Sequence, residues 1–284
     1  MHLLERNKYA SALLALKKVS INNLFARSVI ENHVRGRVFV DDISRPRAFY
    51  VVHPYGMSLL YGDIKDDFLK SGLRDYLLGK NGLRKTGEFL QVFPSDLEEK
   101  IDALLGRNLG TVEENGEPPD PSRPVIKHKR INFRFVPKKY ARARKDLNLK
   151  AHDFQRIDEN MFSNISGSVV PKNFWDGASD FRQKGIGFSL LKNGRIAASS
   201  FSSFVHDNML ELGMETEPEF RRKGFGSLIT AKLIDYCLER NLEPIWACRY
   251  GNKASYNLAV KLGFEPVAYL PYYELIGKNR DAKA

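Results

Sequence analysis

The sequence predicts an α/β protein: a mixed, mostly antiparallel sheet flanked by helices, preceded by a second, N-terminal α/β domain. Three observations carry that expectation. The second half of the chain alternates period-two and helical hydrophobic patterns in the order hairpin, strand, helix, strand, helix, strand. The first half runs through a similar order of helices, hairpin, strand, helix, strand, helix. The composition, 43% hydrophobic and 28% charged, is that of a folded chain, with no apolar run near the roughly 18 residues of a membrane span.

Residues 8–18 and 20–33 place Leu13, Leu14, Leu16 and then Leu24, Phe25, Val29 at helical spacing, which predicts two amphipathic helices. Arg37–Asp41 and Arg47–His53 are rich in Val, Phe and Tyr around a polar turn and predict paired strands. A short apolar run, Met57–Tyr61, follows. Asp63 is the expected cap of a helix near 64–79, whose apolar face is Phe68, Leu69, Leu73, Tyr76 and Leu77. Glu88–Phe93 predicts a strand, and Pro94-Ser95 opens a helix bearing Leu97, Ile101 and Leu104. Gly110–Pro124 holds four of the thirteen prolines and is expected to be a linker or long loop. In Ile126–Val136, Ile131, Phe133 and Phe135 alternate with Arg130, Asn132 and Arg134, the pattern of a strand with one solvated face.

Further on, Phe154–Asn164 predicts a helix, and Phe174, Trp175 and Phe181 an aromatic cluster around a short one. Gly187–Leu191 and Arg195–Phe204 form a hairpin across Lys192-Asn193-Gly194, since Asn-Gly suits a tight turn. Met209–Thr216 is the next strand. Gly224–Arg240 is a helix that buries Phe225, Leu228, Ile229, Leu233, Tyr236 and Cys237. Pro244–Cys248 is an apolar strand, Asn252–Leu262 a helix ended by Gly263, and Val267–Leu275 the last strand. The expected division is a domain over 1–109, a proline-rich linker with a basic strand over 110–150, and a second domain over 151–276.

Charge and composition narrow the function. The net charge is +11, and residues 121–150 hold eleven Lys/Arg against one Asp, nearly the whole excess. The remainder is close to neutral, which argues against a nucleic-acid protein that binds with its whole surface. The six His are scattered, with neither HExxH nor CxxC, so no metal is expected. Cys237 and Cys248 sit in apolar runs and are expected to be buried thiols. Glu5 and Arg6 break any signal-peptide core, so a cytoplasmic protein without a membrane segment is expected.

The stretch that carries chemistry runs from Met214 to Ser227. A strand ends, a turn follows, and Arg221-x-x-Gly224-x-Gly226 opens a long helix. The first N–H groups of a helix lack intrahelical partners, glycines let a ligand approach the backbone, and the helix dipole with Arg221, Arg222 and Lys223 favours an anion. These features suit a pyrophosphate. The pattern is neither a Walker loop nor a dinucleotide fingerprint. After the next strand comes Asn252-Lys253-Ala254-Ser255-Tyr256, leading to Leu262-Gly263-Phe264.

With both halves in order, residues 151–276 resemble the GNAT superfamily of acetyl-CoA-dependent N-acetyltransferases. Glu211 to Thr216, Phe174-Trp175 and Ser255 with Lys261 to Phe264 look most like the branch typified by zwittermicin-resistance acetyltransferases. The resemblance implies that acetyl-CoA is the cosubstrate. The backbone of Arg222, Lys223, Gly224, Phe225, Gly226 and Ser227 would hold its pyrophosphate, beside Arg221. Met214 to Thr216 would pair with the pantetheine arm, one of their N–H groups polarising the thioester carbonyl. Asn252 and Ser255 would lie on the cofactor side. An amine must be neutral to attack, so a carboxylate or an ordered water takes a proton. Glu215 and Glu211 share one strand face with Gly213 and are the candidates, Glu215 first because it is nearer the thioester end.

One position departs from the superfamily. The Tyr that commonly protonates the leaving thiolate stands seven residues after the Asn, and here that residue is Ala259. Tyr256 lies about 60° around the helix and about 4.5 Å along it, as a substitute acid or as a packing residue. Cys248 is the other thiolate-side neighbour, and a core role is expected of it. Phe174, Trp175 and Phe181 are core or line the acceptor cleft, which the corresponding helices flank in this superfamily. The N-terminal domain is expected to be a degenerate copy that does not bind CoA, because Gly62-Asp63-Ile64-Lys65-Asp66-Asp67 stands where the pyrophosphate motif would be. The expected function is acetyl transfer to a primary amine of a small molecule, in a protein that can form a homodimer. The alternative is a CoA-binding sensor, or a nucleic-acid or partner-binding module, that uses the basic 121–150 segment.

Overall fold

The structure, a computed structural model, describes residues 1–82, 84–112, 120 and 122–277. The chain forms a mixed α/β fold of two compact units, Met1–Arg130 with Tyr269–Ala284, and Ile131–Ala268. The division falls inside the basic strand rather than in the proline-rich segment. Most of that segment, 113–119 and 121, lies outside the described residues, and with it most of the expected linker. No helix among the described residues is long and apolar enough to cross a membrane.

The first unit contains β1 (His2–Leu3), α1 (Ala10–Leu16), α2 (Leu24–Ile30), β2 (Arg37–Val40), β3 (Ala48–Val52), β4 (Met57–Gly62), α3 (Asp66–Phe68), α4 (Arg74–Leu77), β5 (Glu88–Val92), α5 (Leu97–Leu105) and β6 (Leu109–Thr111). Its sheet runs β1-β2-β3-β4-β5, antiparallel except for the parallel β4–β5 pair. A core of Tyr50, Leu60, Leu73, Leu77, Leu90 and Ile101 fills the α3–α5 side, each fully buried large side chain contributing about 1.5–3 kcal/mol. Asp63 does not cap the next helix. Lys65 precedes it without a side-chain cap, and a π-type turn, Leu69–Leu73, with Gly72 at φ 116°, splits the expected helix into α3 and α4. Glu88 is buried against the hydroxyls of Tyr50 and Tyr76 at 2.9 and 2.5 Å, and burial pushes its carboxyl up.

The strand β7 (Val125–Phe135) carries the basic residues and contributes Ile131 to Phe135 to the second unit. There follow α6 (Pro137–Arg144), β8 (Asp153–Arg156), α7 (Glu159–Asn164), α8 (Ala178–Lys184), β9 (Gly187–Lys192), β10 (Arg195–His206), β11 (Met209–Thr216), α9 (Phe225–Glu239), β12 (Glu243–Arg249), α10 (Lys253–Lys261) and β13 (Phe264–Leu275). The sheet order β8-β9-β10-β11-β12 is antiparallel but for β11–β12. Two expectations change here. Residues 153–156 pair with β9 as a strand, and the helix begins only after Asp158, whose carboxylate accepts the Met161 N–H at 2.8 Å. The helix α6 was not foreseen, although Pro137 at its first turn is a start signal. Asn193 and Gly194, at φ 53° and 74°, turn the β9–β10 hairpin as Asn-Gly suggests.

Candidate functional site

The site is built where β11 meets α9. One edge of β11 pairs with β10 from His206↔Met209 to Ala198↔Thr216. On the other edge β12 accompanies it only from Met209↔Glu243 to Glu211↔Ile245. The two parallel strands part at Glu211, and among the described residues Leu212 to Thr216 pair with no strand on that side. Backbone polar groups on such an edge can pair with an extended chain.

Past Thr216 the chain turns into α9. Arg222 and Gly224 both have left-handed φ, 61° and 82°. Left-handed Gly224 followed by helical Phe225 is the conformational pair that makes an anion-holding backbone nest. Among the described residues, the N–H groups of Arg222 to Gly226 have no acceptor in the chain, whereas Ser227 and Leu228 donate to the Gly224 carbonyl at 3.0 and 3.2 Å. The expected donor run therefore ends one residue early, at Gly226. A Cβ on Gly226 would touch Met214 Cε and Thr216 Oγ1 at 3.4 Å, so strand end and helix start abut, while one on Gly224 would meet nothing. The fifteen residues of α9 direct their peptide dipoles so that positive charge faces this loop. Arg221 Nε donates to the Thr216 carbonyl at 3.0 Å, and Lys223 Nζ lies over the Phe220 ring. The residues present thus fit a pyrophosphate: unpaired donors, two glycines and positive charge.

Leu210 and Leu212 belong to the core that packs on α9, so Glu211, Gly213 and Glu215 take the opposite face. Gly213 is required there, because a Cβ would stand 2.5 Å from Ser203 Oγ and 2.6 Å from Phe201 Cζ. Glu211 is 5% exposed. The register shifts between Ser202 and Phe204, and this bulge sets Phe204 opposite Glu211 and His206 opposite Met209. His206 is thereby diagonal to Glu211 on one face, with its Nε2 3.0 Å from Asp207 Oδ2. Sequence reading missed His206, since only the bulge register relates it to Glu211. Glu215 is engaged: Oε2 accepts the N–H of Ser168 and Val169 at 3.0 and 3.1 Å, and Oε1 is 3.5 Å from Arg221.

The remaining candidates have structural partners. Asn252 caps α10 by accepting the Ser255 N–H at 3.0 Å, and Ser255 Oγ accepts from Trp246 Nε1 at 3.2 Å. The Tyr256 ring packs 5.7 Å from that of Phe133, and Ala259 is fully buried. Cys248 lies in the core with Trp246 and Phe264, and burial pushes the Cys237 thiol up to about 12. Phe174 packs on Phe201 and Phe204, and Phe181 on Phe162 and Trp175. No cluster of three or more metal-ligating side chains occurs among the described residues.

A family model described as GNAT acetyltransferase matches residues 15–273. The uncharacterized N-acetyltransferase YdfB of Bacillus subtilis is 27% identical over 261 residues, 88% of this chain and 89% of its own. A ribosomal protein bS18-alanine N-acetyltransferase of Escherichia coli is 29% identical over 107 residues, 37% of this chain and 72% of its own. A solved GCN5-related N-acetyltransferase-like protein from Streptococcus suis has a TM-score of 0.67 at 20% identity, covering 95% of this chain and 99% of that one. A tandem GNAT protein from the clavulanic acid biosynthesis pathway has a TM-score of 0.58 at 10% identity, covering 96% and 97%. These last two are likenesses of fold.

Proposed function

The chain belongs to the GNAT acetyltransferase family and is an acyltransferase; from that membership we propose that it moves an acetyl group from acetyl-CoA to a primary amine of a small molecule, at one cleft in the second unit. Acetyl-CoA, the cosubstrate of the family, supplies the acetyl group as a thioester. The observation that carries the reading is the run of five unpaired N–H donors beside a strand edge that has lost its neighbour. Arg222 to Gly226 hold the phosphates through these donors. Met214 to Thr216 offer their open edge to the amide-bearing arm. Asn252, its carbonyl engaged in the cap, keeps its amide N–H₂ for the cofactor side.

Glu211 takes the proton of the incoming ammonium, so that the amine attacks neutral. It stands where β11 and β12 part, 5% exposed on the face opposite the α9 core. His206, diagonal to it and beside Asp207, is the next station toward solvent. Tyr256 or water protonates the leaving sulfur. The finer resemblance to the zwittermicin-resistance branch suggests an amino sugar or aminopolyol as acceptor. The test is calorimetric titration of acetyl-CoA followed by a thiol-release assay over amino sugars, aminopolyols and peptide amines. Acetyl-CoA binding with release on the small amines is expected. Release only on peptide amines would overturn the small-molecule acceptor.

A further inference from the structure

Between α7 and α8 the chain crosses the Glu211 face of the second unit as a short strap. Ile165 and Val170, at its ends, are 2% and 0% exposed, while Ser166, Gly167 and Ser168 between them are exposed. The strap is stitched to the end of β11. Glu215 Oε2 accepts from Ser168 N, Val169 N and Ser168 Oγ at 3.0, 3.1 and 3.4 Å. Ser166 Oγ donates to Glu217 Oε1 at 2.8 Å, and Asn173 Nδ2 to the Ser168 carbonyl at 3.0 Å. Gly167, at φ 121°, passes so close that a Cβ there would stand 2.6 Å from Glu215 Cγ and Oε2. Two consecutive peptide N–H groups converging on one carboxylate oxygen form an anion-holding turn whose anion is supplied by the protein itself.

We propose that Glu215 is a positioning residue, a latch that fastens the 165–170 strap over the acceptor side of β11, and that it does not accept the amine proton. A carboxylate oxygen offers two lone pairs, and Oε2 already meets three donors. Oε1 faces Arg221, whose Nε is tied to the Thr216 carbonyl. Oε2 is taken up by the strap and Oε1 stands beside the Arg221 guanidinium, and the strap lies over the face that carries Glu211. The latch therefore acts on how an acceptor is held, and Glu211 on how it is deprotonated. This inference rests on the acetyl-transfer reading above.

Two variants separate latch from base. Glu215→Gln keeps the shape and removes the charge. Gly167→Ala leaves the carboxylate intact and pushes the strap off it. If Glu215 is the latch, both variants raise the acceptor KM about tenfold, the scale of losing charge-assisted hydrogen bonds. Both keep kcat within about threefold and leave the acidic limb of the pH profile in place. Hydrogen exchange of the Ser168 and Val169 amides also quickens about tenfold or more in both, a reading that needs no acceptor. Loss of the acidic limb in Glu215→Gln but not in Gly167→Ala would make Glu215 the base and overturn the proposal. So would wild-type protection of the two amides in Glu215→Gln, which is the isosteric variant and decides if Gly167→Ala fails to fold. Failure of the wild type to bind acetyl-CoA, measured separately, would strike the function reading and leave the exchange result standing.

Discussion

At the residue scale, the most legible position is Gly226, because a helix start with two glycines can be read without a structure. Its surroundings sharpen the prediction. Acetyl-CoA raises the melting temperature of the wild type, since a ligand of the native state stabilises it, and Gly226→Glu abolishes the rise. The glutamate adds bulk against Met214 and Thr216 and negative charge beside the unpaired N–H groups. An unchanged thermal shift in the variant would remove the phosphates from this loop. Glu211 and Glu215 were legible as one strand face, but what each carboxylate touches was not. The partners of Glu215 lie 46 and 47 residues away in a strap that no local pattern predicts. With those partners in view, Glu211→Gln is the variant expected to lower kcat/KM about 10²- to 10⁴-fold, the usual worth of general base catalysis. Its acetyl-CoA affinity should stay within about threefold. Stopped-assay pH profiles decide the point: an acidic limb that survives in Glu211→Gln would exclude this carboxylate.

At the scale of elements, sequence and structure agree where tertiary contacts reinforce the local pattern. β11 keeps its predicted limits, and the Asn-Gly hairpin turns where expected. They part where a single side chain decides. Asp158 starts α7 by capping it, which releases residues 153–156 to pair as an edge strand. Gly72 interrupts a helix whose apolar spacing gives no warning. The β3–β4 hairpin carries a consequence for stability. Its turn is closed by the Tyr55 N–H donating to His53 Nδ1 at 3.0 Å, and burial holds the imidazole down at about 3 against an ordinary 6.5. The unfolded chain takes up a proton below about pH 6.5 that the folded one refuses. Stability from this group is therefore whole above that pH and falls toward pH 3 by about 1.4 kcal/mol per unit at full slope. Urea unfolding at pH 7.5 and 5.5 should show a loss of about 1.4 kcal/mol that His53→Asn, which keeps an acceptor for Tyr55, largely removes. Equal pH sensitivity in the two proteins would mean that the ring is protonated in the fold.

At the scale of the molecule, two features of the sequence change meaning once the fold is known. Part of the basic segment is held in local pairings. Lys127 is held between Glu98 and Asp102, Arg134 and Lys139 share Glu265, and Arg144 meets Asp235. Similar element orders in the two halves do not by themselves predict two cofactor clefts. In the first unit β4 and β5 stay paired from Met57↔Phe89 to Leu60↔Val92, and the Phe93 N–H extends the ladder to the Leu60 carbonyl at 2.9 Å. Among the described residues β4 and β5 do not part over that length. The helix that follows β4 is three residues long before its π-type turn and begins with Asp66 and Asp67, so it offers little dipole and the wrong charge. In the second unit β11 and β12 part after three pairs, and a fifteen-residue helix begins at the open end. Isothermal titration should therefore count one acetyl-CoA per chain, and Gly226→Glu should abolish all of that binding. A count of two, or half the binding surviving Gly226→Glu, would show that the first unit also opens between β4 and β5, and that a continuous strand ladder is no bar to the cofactor.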